Sequence, residues 1–489
     1  MKVSISYPPI DSAKGVPLLG QNRQFQYFYT PTYIYPMIPA YAATLLRIAG
    51  YTVVWDDGIS EEKTYSQWLG EFDKSHPDVV MIETKTPVVK RHWSMIDDMK
   101  NMAPDSKVVL VGDHVTALPR ESMEQSQADF ILTGGDYDFL LLNLVNFLAG
   151  ETDRLESGIW YRDGSSIRNT GRFQLNHNLD DLPFIDRDLT RWRLYSQRNG
   201  NFRVTPGTYT MVGRDCWWRK NGGCTFCSWP TLYPVFRARR PELLVDEIGF
   251  LIEKYDVRSV FDDTGCFPIG EWLRKFAGLM IDRGYNDKVQ FSCNMRFGEA
   301  TREDYRLMKK AGFRMLLFGV ESSSQTTLDR LNKGTTVEGI LDGCRVPHEE
   351  GLELHITIMV GYPWEKRADA LSTLNLAKTL MERGWAATLQ ATIVIPYPGC
   401  KLYAEALENG WFRIDPKDYD RFDMREPVLS TPDMTPEEVI RICDEIYKVF
   451  LSPKYILRQL ARTRSLKDVE YSVKGIARVL GHVRDFAKN

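Results

Sequence analysis

The sequence predicts an α/β fold made of two parallel-sheet units and a helical tail, and three observations predict it. Short apolar runs alternate with amphipathic helical stretches through most of the chain, the pattern of parallel strands wrapped in helices. Many of these runs end in small or polar residues, as strands do where they open onto a ligand site. Between the two alternating regions stand three of the eight cysteines, gathered in Cys216–Cys227.

Composition narrows the function. At 489 residues the chain has room for two or three domains, each with its own core. Apolar content of 43% and charged content of 26% are ordinary for a globular protein, and a net charge of −3 gives no reason to expect a nucleic-acid partner. Eight cysteines without paired spacing point to a reducing compartment. The opening run Met1–Pro9 is too short and polar for a signal peptide, and no stretch of eighteen apolar residues occurs. The expectation is a cytoplasmic protein without a transmembrane segment.

Residues 1–150 form the first unit. Its candidate strands are Val3–Tyr7, Thr52–Trp55, Val79–Ile82, Lys107–Val111 and Phe130–Thr133, with an amphipathic helix Tyr41–Ala49 closed by Gly50. The tips are Pro8-Pro9, Asp56-Asp57-Gly58, Thr84-Lys85-Thr86, Gly112-Asp113-His114 and Gly134-Gly135-Asp136. Periodicity alone gives a Rossmann-like scaffold, with or without a ligand at those tips. Residues 151–205 are a linker: Asp163-Gly164-Ser165-Ser166 reads as a hairpin turn, and Asp180–Arg187, with Pro183, breaks regular structure.

Residues 206–405 are the second unit. Thr208–Val212 leads into the cysteines, and Pro241–Tyr255 is a helix. Strands at Ser259–Asp262, Val289–Cys293, Met315–Val320, Glu353–Val360 and Thr388–Ile395 complete a partial parallel barrel of six βα units, whose active site belongs at the C-terminal rim. In the tail, 406–489, Thr435-Pro436-Glu437-Glu438 starts a helix. From Lys454 to Lys488 nine Lys and Arg stand against three Asp and Glu, which is either a solvated face or a surface for an anionic substrate or membrane.

The cysteines carry the chemistry. A structural zinc site takes four ligands, yet no second knuckle exists, the nearest histidine is His177, and Cys266, Cys293, Cys344, Cys400 and Cys443 are scattered singly. Three thiolates suit a four-iron, four-sulfur cube with one open iron, and Phe226 just before the last cysteine fits that reading. The trio by itself leaves zinc, a cluster and unrelated thiols all open.

The chain beyond the trio resembles the radical S-adenosylmethionine (SAM) family. Phe261-Asp262-Asp263-Thr264-Gly265, Asn294-Met295-Arg296, Gly319–Gln325 with Asn332-Lys333-Gly334, Val360–Glu365 and Pro396–Cys400 resemble the ends of its second to sixth strands in order. Ile38–Leu46 with Ala49-Gly50-Tyr51, Val108–Thr116 and the Gly134-Gly135 turn resemble the cobalamin-binding domain that precedes many of these enzymes. The resemblance implies an N-terminal Rossmann-like cobalamin-binding domain, a partial (β/α)6 TIM-type radical SAM barrel and a C-terminal helical region. It implies a [4Fe-4S] cluster on Cys216, Cys224 and Cys227, and SAM bound near Phe226, Asp263, Arg296, Glu321, Ser323, Gly361 and Tyr397. In this reading Arg296 pairs the methionine carboxylate, and Glu321 and Ser323 hold ribose hydroxyls or the amine. Cobalamin is expected at Pro8, Tyr41, Thr84, Lys85, Gly112, Asp113, His114, Gly134 and Gly135. Trp217, Trp229 and Tyr233 would stack on a substrate ring.

Two departures matter. The family spaces its cysteines by three residues and then two; here the gaps are seven and two. The Asp-x-His-x-x-Gly signature that supplies a histidine to cobalt is absent, so the cobalamin is expected base-off without a protein histidine ligand, and His114 as a loop residue near the corrin. The function implied is methyl transfer to an unactivated carbon through a 5′-deoxyadenosyl radical. Ring closure or carbon–carbon coupling is the alternative enzyme, and a non-catalytic cobalamin sensor the alternative without chemistry. Partners implied are a small-molecule or lipid or sugar substrate and an electron donor such as flavodoxin or ferredoxin.

Overall fold

A computed structural model describes residues 1–19, 25–199 and 201–462. In the first sheet β1 (Lys2–Tyr7) lies between β2 (Thr52–Asp57) and β3 (Val79–Glu83), and β4 (Lys107–Val111) and β5 (Phe130–Leu132) follow, all parallel. The order β2-β1-β3-β4-β5 reverses between β1 and β3, which makes their carboxyl ends the switch point where doubly wound sheets bind ligands. Val3, Ile5 and the Val79–Ile82 run are fully covered, as strands buried on both faces require. The hairpin β6 (Ile159–Asp163) and β7 (Ser166–Asn169) turns where the sequence predicts. It pairs antiparallel with β5 and so forms the far edge of this sheet. The first helix runs Met37–Ile48, a turn earlier than the sequence predicts; Pro39 is tolerated in the opening turn because its N–H would have no helical acceptor there.

The second sheet is six parallel strands in chain order: β8 (Gly207–Thr210), β9 (Ser259–Asp262), β10 (Gln290–Met295), β11 (Phe313–Glu321), β12 (Glu353–Val360) and β13 (Thr388–Ile393). The helix Pro241–Tyr255 has the predicted ends, set by Pro241 in its first turn and Asp256 in the left-handed region after its last.

The two sheets meet tip to tip. Short helices Asp113–Ala117 and Trp229–Leu232 pack together between them. Behind them a buried network ties the linker to the barrel: Arg187 donates to Tyr209 O (2.7 Å), and Arg239 donates to Glu247 (3.1 Å) and Leu182 O (3.2 Å). A strap after the barrel crosses back to the first unit. Tyr419 donates to Glu121 (2.8 Å), Lys14 pairs with Asp423 (2.5 Å), and Tyr397 donates to Phe422 O (3.1 Å). Thr435 and Glu438 form the capping box of the helix Pro436–Lys448. Most of the basic Lys454–Lys488 stretch lies outside the described residues. Among the described residues no helix is long and apolar enough to cross a membrane.

Candidate active site

The chain leaves β8 through a turn built on Asp262, at the end of β9. Its carboxylate accepts from Thr210 Oγ1 (2.8 Å), Val212 N (3.0 Å) and Thr264 N (3.1 Å), while Thr264 Oγ1 accepts from Gly213 N (2.8 Å). Burial raises the Asp262 carboxyl, and these donors work against that. Gly265 then lets the backbone of Asp215 pass: a Cβ there would stand 2.6 Å from the carbonyl carbon and oxygen of Asp215. The end of the second barrel strand therefore aims Cys216.

The long first gap folds into a 3-10 turn, Trp217–Asn221, which returns the chain to Cys224. The loop after the helix Gln325–Arg330 clamps this turn. Trp218 Nε1 donates to Asn332 O (2.7 Å), its ring fills the space beside Gly334, and Asn332 Nδ2 donates to Asn221 O and Gly223 O (both 2.8 Å). Trp218 thus fastens the cysteine loop to the segment that follows the helix Gln325–Arg330.

Cys216, Cys224 and Cys227 are half-buried, whereas the other five cysteines are buried. Burial pushes the Cys344 and Cys400 thiols up to about 12, consistent with packing roles. Cations crowd the trio. Arg296 Nη1 donates to Cys224 Sγ (3.7 Å), and Arg219, paired with Asp215 (2.5 Å), lies within electrostatic reach of both Cys216 and Cys227. Among the described residues no three His, Cys, Asp or Glu side chains close around one point. The fit to an anionic centre comes instead from donors left over: Trp217 Nε1, Arg219 Nη1 and Arg296 Nε are buried without an acceptor. Other buried donors also lack an acceptor, Trp93 Nε1 and Arg239 Nε among them, but here three flank the thiols. Thiolates with inorganic sulfide, or a bound carboxylate, would supply the acceptors these donors lack, so the residues present fit such a group.

The residues expected around SAM divide into two sets. Phe226 and Glu321 are joined through Lys333, whose Nζ lies 3.1 Å from Glu321 Oε1 and 5.9 Å from the Phe226 ring centre. Glu321 sits at φ 62° where the pairing of β11 with β12 slips, a conformation that non-glycine residues hold only under constraint. Asp263 lies half-buried beside the Asp262 turn. Ser323 instead bonds Thr373 (3.0 Å) on the helix Arg367–Arg383, Gly361 N donates to Glu365 (2.7 Å) beneath Val439, and Tyr397 is spent on the strap. At Arg296, Nη1 is on Cys224, Nη2 is on Lys333 O and the guanidinium lies 4.1 Å from the Trp218 ring centre, while Nε is left without an acceptor. The sequence places Lys333, Tyr362 and Glu365 inside strand-end motifs but gives them no role of their own. The Tyr362 hydroxyl is buried without a partner, and burial raises Glu365 to about 8 against the N–H groups of Gly361 and Tyr362.

At the first unit's tips, Pro8 follows β1, Thr84 and Lys85 follow β3, and Gly112 and Asp113 follow β4; Gly112 packs against the Thr84 carbonyl and the Thr84 hydroxyl lies 2.8 Å from His92 Nδ1. Other expected contacts are turned to packing. Tyr41 lies within the network of Arg239 and Glu247. His114 is enclosed by Trp93 and Tyr419 with Nδ1 on Thr86 (3.1 Å), and burial lowers its imidazole to about 3. Gly134 lies under Phe173. The Tyr233 ring occupies the place of a Gly135 Cβ, and its hydroxyl donates to Gly135 O (3.2 Å). Trp229 is buried beside Tyr233, so of the three expected stacking rings only Trp217 keeps an open part. Two buried clusters were not read from the sequence. Tyr7 and Tyr137 donate to Glu83 at the switch point, and Arg214, just before the cysteines, pairs with Asp136 (2.9 Å) and Asp138 (2.5 Å).

Residues 212–377 match the model of the radical SAM superfamily. They form a radical SAM domain. An uncharacterized methyltransferase of Pyrococcus horikoshii is 24% identical over 449 residues, 91% of this chain and 94% of that protein. Among solved structures, the cobalamin-dependent SAM radical enzyme OxsB, with aqua-cobalamin and SAM bound, aligns with TM-score 0.70 at 16% identity, covering 98% of this chain and 71% of that one. The radical SAM methyltransferase TsrM of Kitasatospora setae, with cobalamin and a [4Fe-4S] cluster bound, aligns with TM-score 0.64 at 13% identity, covering 92% and 85%. At these identities the likeness is one of fold. It spans both sheets, so the radical SAM domain here is carried on an architecture with a Rossmann-like unit in front of the barrel.

Proposed function

We propose that this protein is a cobalamin-dependent radical SAM enzyme that methylates an unactivated carbon of a small molecule. The observation that carries the reading is the ring of unsatisfied donors around three half-buried cysteines, at the mouth of a six-stranded barrel. Cys216, Cys224 and Cys227 would hold a [4Fe-4S] cluster, and Pro8, Thr84, Lys85, Gly112 and Asp113 at the first unit's tips would contribute to holding cobalamin. Once bound, these groups and SAM supply a radical able to take hydrogen from unactivated carbon and a methyl group to replace it. The chain's own part is to position and to exclude water. Arg296 donates to the Cys224 sulfur, the Glu321–Lys333 pair fixes the fourth strand end, Trp217 and Phe226 cover the loop, and Tyr362 offers a buried hydroxyl. The pairing of Arg214 with Asp136 and Asp138 ties the segment before the cysteines to the start of the helix after β5.

Anaerobic reconstitution tests this. Wild-type protein should take up about four iron and four sulfide per chain, and a Cys216→Ala/Cys224→Ala/Cys227→Ala variant should take up none; a variant that keeps its iron refutes the assignment. The loaded protein should also retain a corrinoid, seen by its visible absorbance. Turnover with the substrate should give S-adenosylhomocysteine beside 5′-deoxyadenosine, whereas a ring-closing enzyme would give no S-adenosylhomocysteine.

A further inference from the structure

Seven residues separate Cys216 from Cys224, and the 3-10 turn that takes them up carries Arg219, whose side chain is only 8% exposed. Arg219 Nε and Nη2 fork onto Asp215, at 2.5 and 3.0 Å, and that buried carboxylate belongs to the residue just before Cys216. The fork leaves Nη1 on the far side of the planar group, against Gly223, the residue just before Cys224. A Cβ on Gly223 would collide with Nη1 and stand 2.8 Å from the guanidinium carbon, so this position must be bare for the guanidinium to lie there. Cys216 and Cys227 are both within electrostatic reach of it. Nη1 is buried and has no acceptor.

Other buried arginines are placed differently. The unsatisfied Nε of Arg239 belongs to a group that feels Tyr41, Glu247 and Asp180, none of them a thiol. Arg296 reaches Cys224 from the third barrel strand's end, with Nη2 fixed on Lys333 O. Arg219 alone among these comes from within the cysteine loop, in the stretch that makes its first gap long. With Asp215 it forms a pair of no net charge but of fixed direction, its positive arm turned to the side of Cys224.

We propose that Arg219 is a potential-setting residue: its Nη1 donates to the iron–sulfur centre held by the three cysteines and makes that centre easier to reduce. The inference rests on the reading of those cysteines as cluster ligands. In the reduction a one-electron donor is oxidised by one electron and the centre is reduced by one; no bond forms or breaks. Each electron makes the centre more negative, and an N–H donor carrying positive charge favours the more negative form, which raises the potential. Within a half-buried loop salt and water screen this little. Arginine suits the task because two arms of its rigid fork hold Asp215 while the third stays available, a geometry that a lysine ammonium does not reproduce.

The test is a redox titration of the full chain, loaded with iron and sulfide and without SAM, in which the reduced centre is followed by electron paramagnetic resonance. Asp215→Asn/Arg219→Gln removes the pair without leaving a buried charge alone. Its iron content should match that of wild type, and its midpoint should fall until reduction is about tenfold less favourable, ~59 mV for a one-electron couple. Lys220→Gln, at an exposed cation of the same turn, should keep the wild-type midpoint. A double variant with full iron and the wild-type midpoint overturns the inference, and so does an equal fall in Lys220→Gln, which would mean that net charge alone matters. Should the double variant take up less iron, Arg219→Lys decides: it keeps a charge beside Asp215 but no third arm, so its midpoint should fall by a smaller step, and an unchanged midpoint overturns the inference. Wild-type protein that takes up no iron would instead sink the cluster reading, which separates the two failures.

Discussion

Strand ends of two parallel sheets face each other across the middle of this molecule, and the chain treats them oppositely. At the first sheet it closes on itself: Tyr233 over Gly135, Phe173 over Gly134, Tyr419 over His114, and two tyrosine hydroxyls on Glu83. The histidines buried there, His92 and His114, are held neutral, both lowered to about 3 by burial. At the barrel the chain stops short, leaving three thiols half-open and the donors of Trp217, Arg219 and Arg296 without acceptors. Equivalent positions in two sheets of one class thus serve different ends. The first set positions the loop that the second set completes, because Arg214, one residue from Asp215 and two from Cys216, is anchored in the first unit.

The sharpest way to break that division of labour is Arg214→Met, which leaves Asp138 as an uncompensated buried carboxylate and Asp136 with Arg237 and His177 only. The expected cost is about 3–5 kcal/mol in chemical denaturation, with loss of iron retention. A cost under about 1 kcal/mol, the worth of an ordinary surface pair, would show that the first unit does not hold the loop. Gly265→Ala acts from the barrel side. Its Cβ meets the Asp215 backbone, which cannot swing aside as a side chain would. Overpacking of this kind costs about 1–3 kcal/mol, and iron uptake should fall well below wild type while the far-ultraviolet circular dichroism stays the same. Uptake equal to wild type would mean that Gly265 does not aim Cys216.

The same contrast explains what could be read from sequence. Strands were legible because burial on both faces forces apolar runs, and the helix Pro241–Tyr255 because its first turn and its stop carry their own chemistry. The thiols were legible by type and spacing. A glycine pair, by contrast, announces that something approaches closely without saying what; at Gly134-Gly135 it is Phe173 and Tyr233. Arg296 follows its strand end as expected, yet its partners come from the cysteine loop and from Lys333, both set by the folded loops. Pairings such as Arg214 with Asp138, 76 residues apart, or Tyr419 with Glu121, 298 apart, leave no periodic trace.

Two milder changes probe each side of the comparison. Trp218→Phe keeps a ring against Gly334 but removes the donor to Asn332 O and weakens the stack under Arg296. It should cost about 1–2 kcal/mol and loosen the loop, seen as faster loss of iron to a chelator; unchanged release would mean that the clamp lies elsewhere.

The smallest effect should come from His177, which closes the first unit's side by bonding Asp136 (3.4 Å) and Glu156 (3.0 Å). Burial alone would lower the imidazole, but the two carboxylates outweigh it and raise it to about 9. A group raised on folding adds stability that is fully present below its ordinary value near 6.5 and fades as pH climbs through 9. Wild type should therefore lose on the order of 1 kcal/mol relative to His177→Gln between about pH 6.5 and pH 9.5, since half-open Glu156 is partly screened by water. Denaturation midpoints of the two proteins should converge at the alkaline end. Parallel curves would mean that His177 is neutral in the fold, and that Arg214 and Arg237 alone neutralise Asp136 where it meets the cysteine-bearing segment.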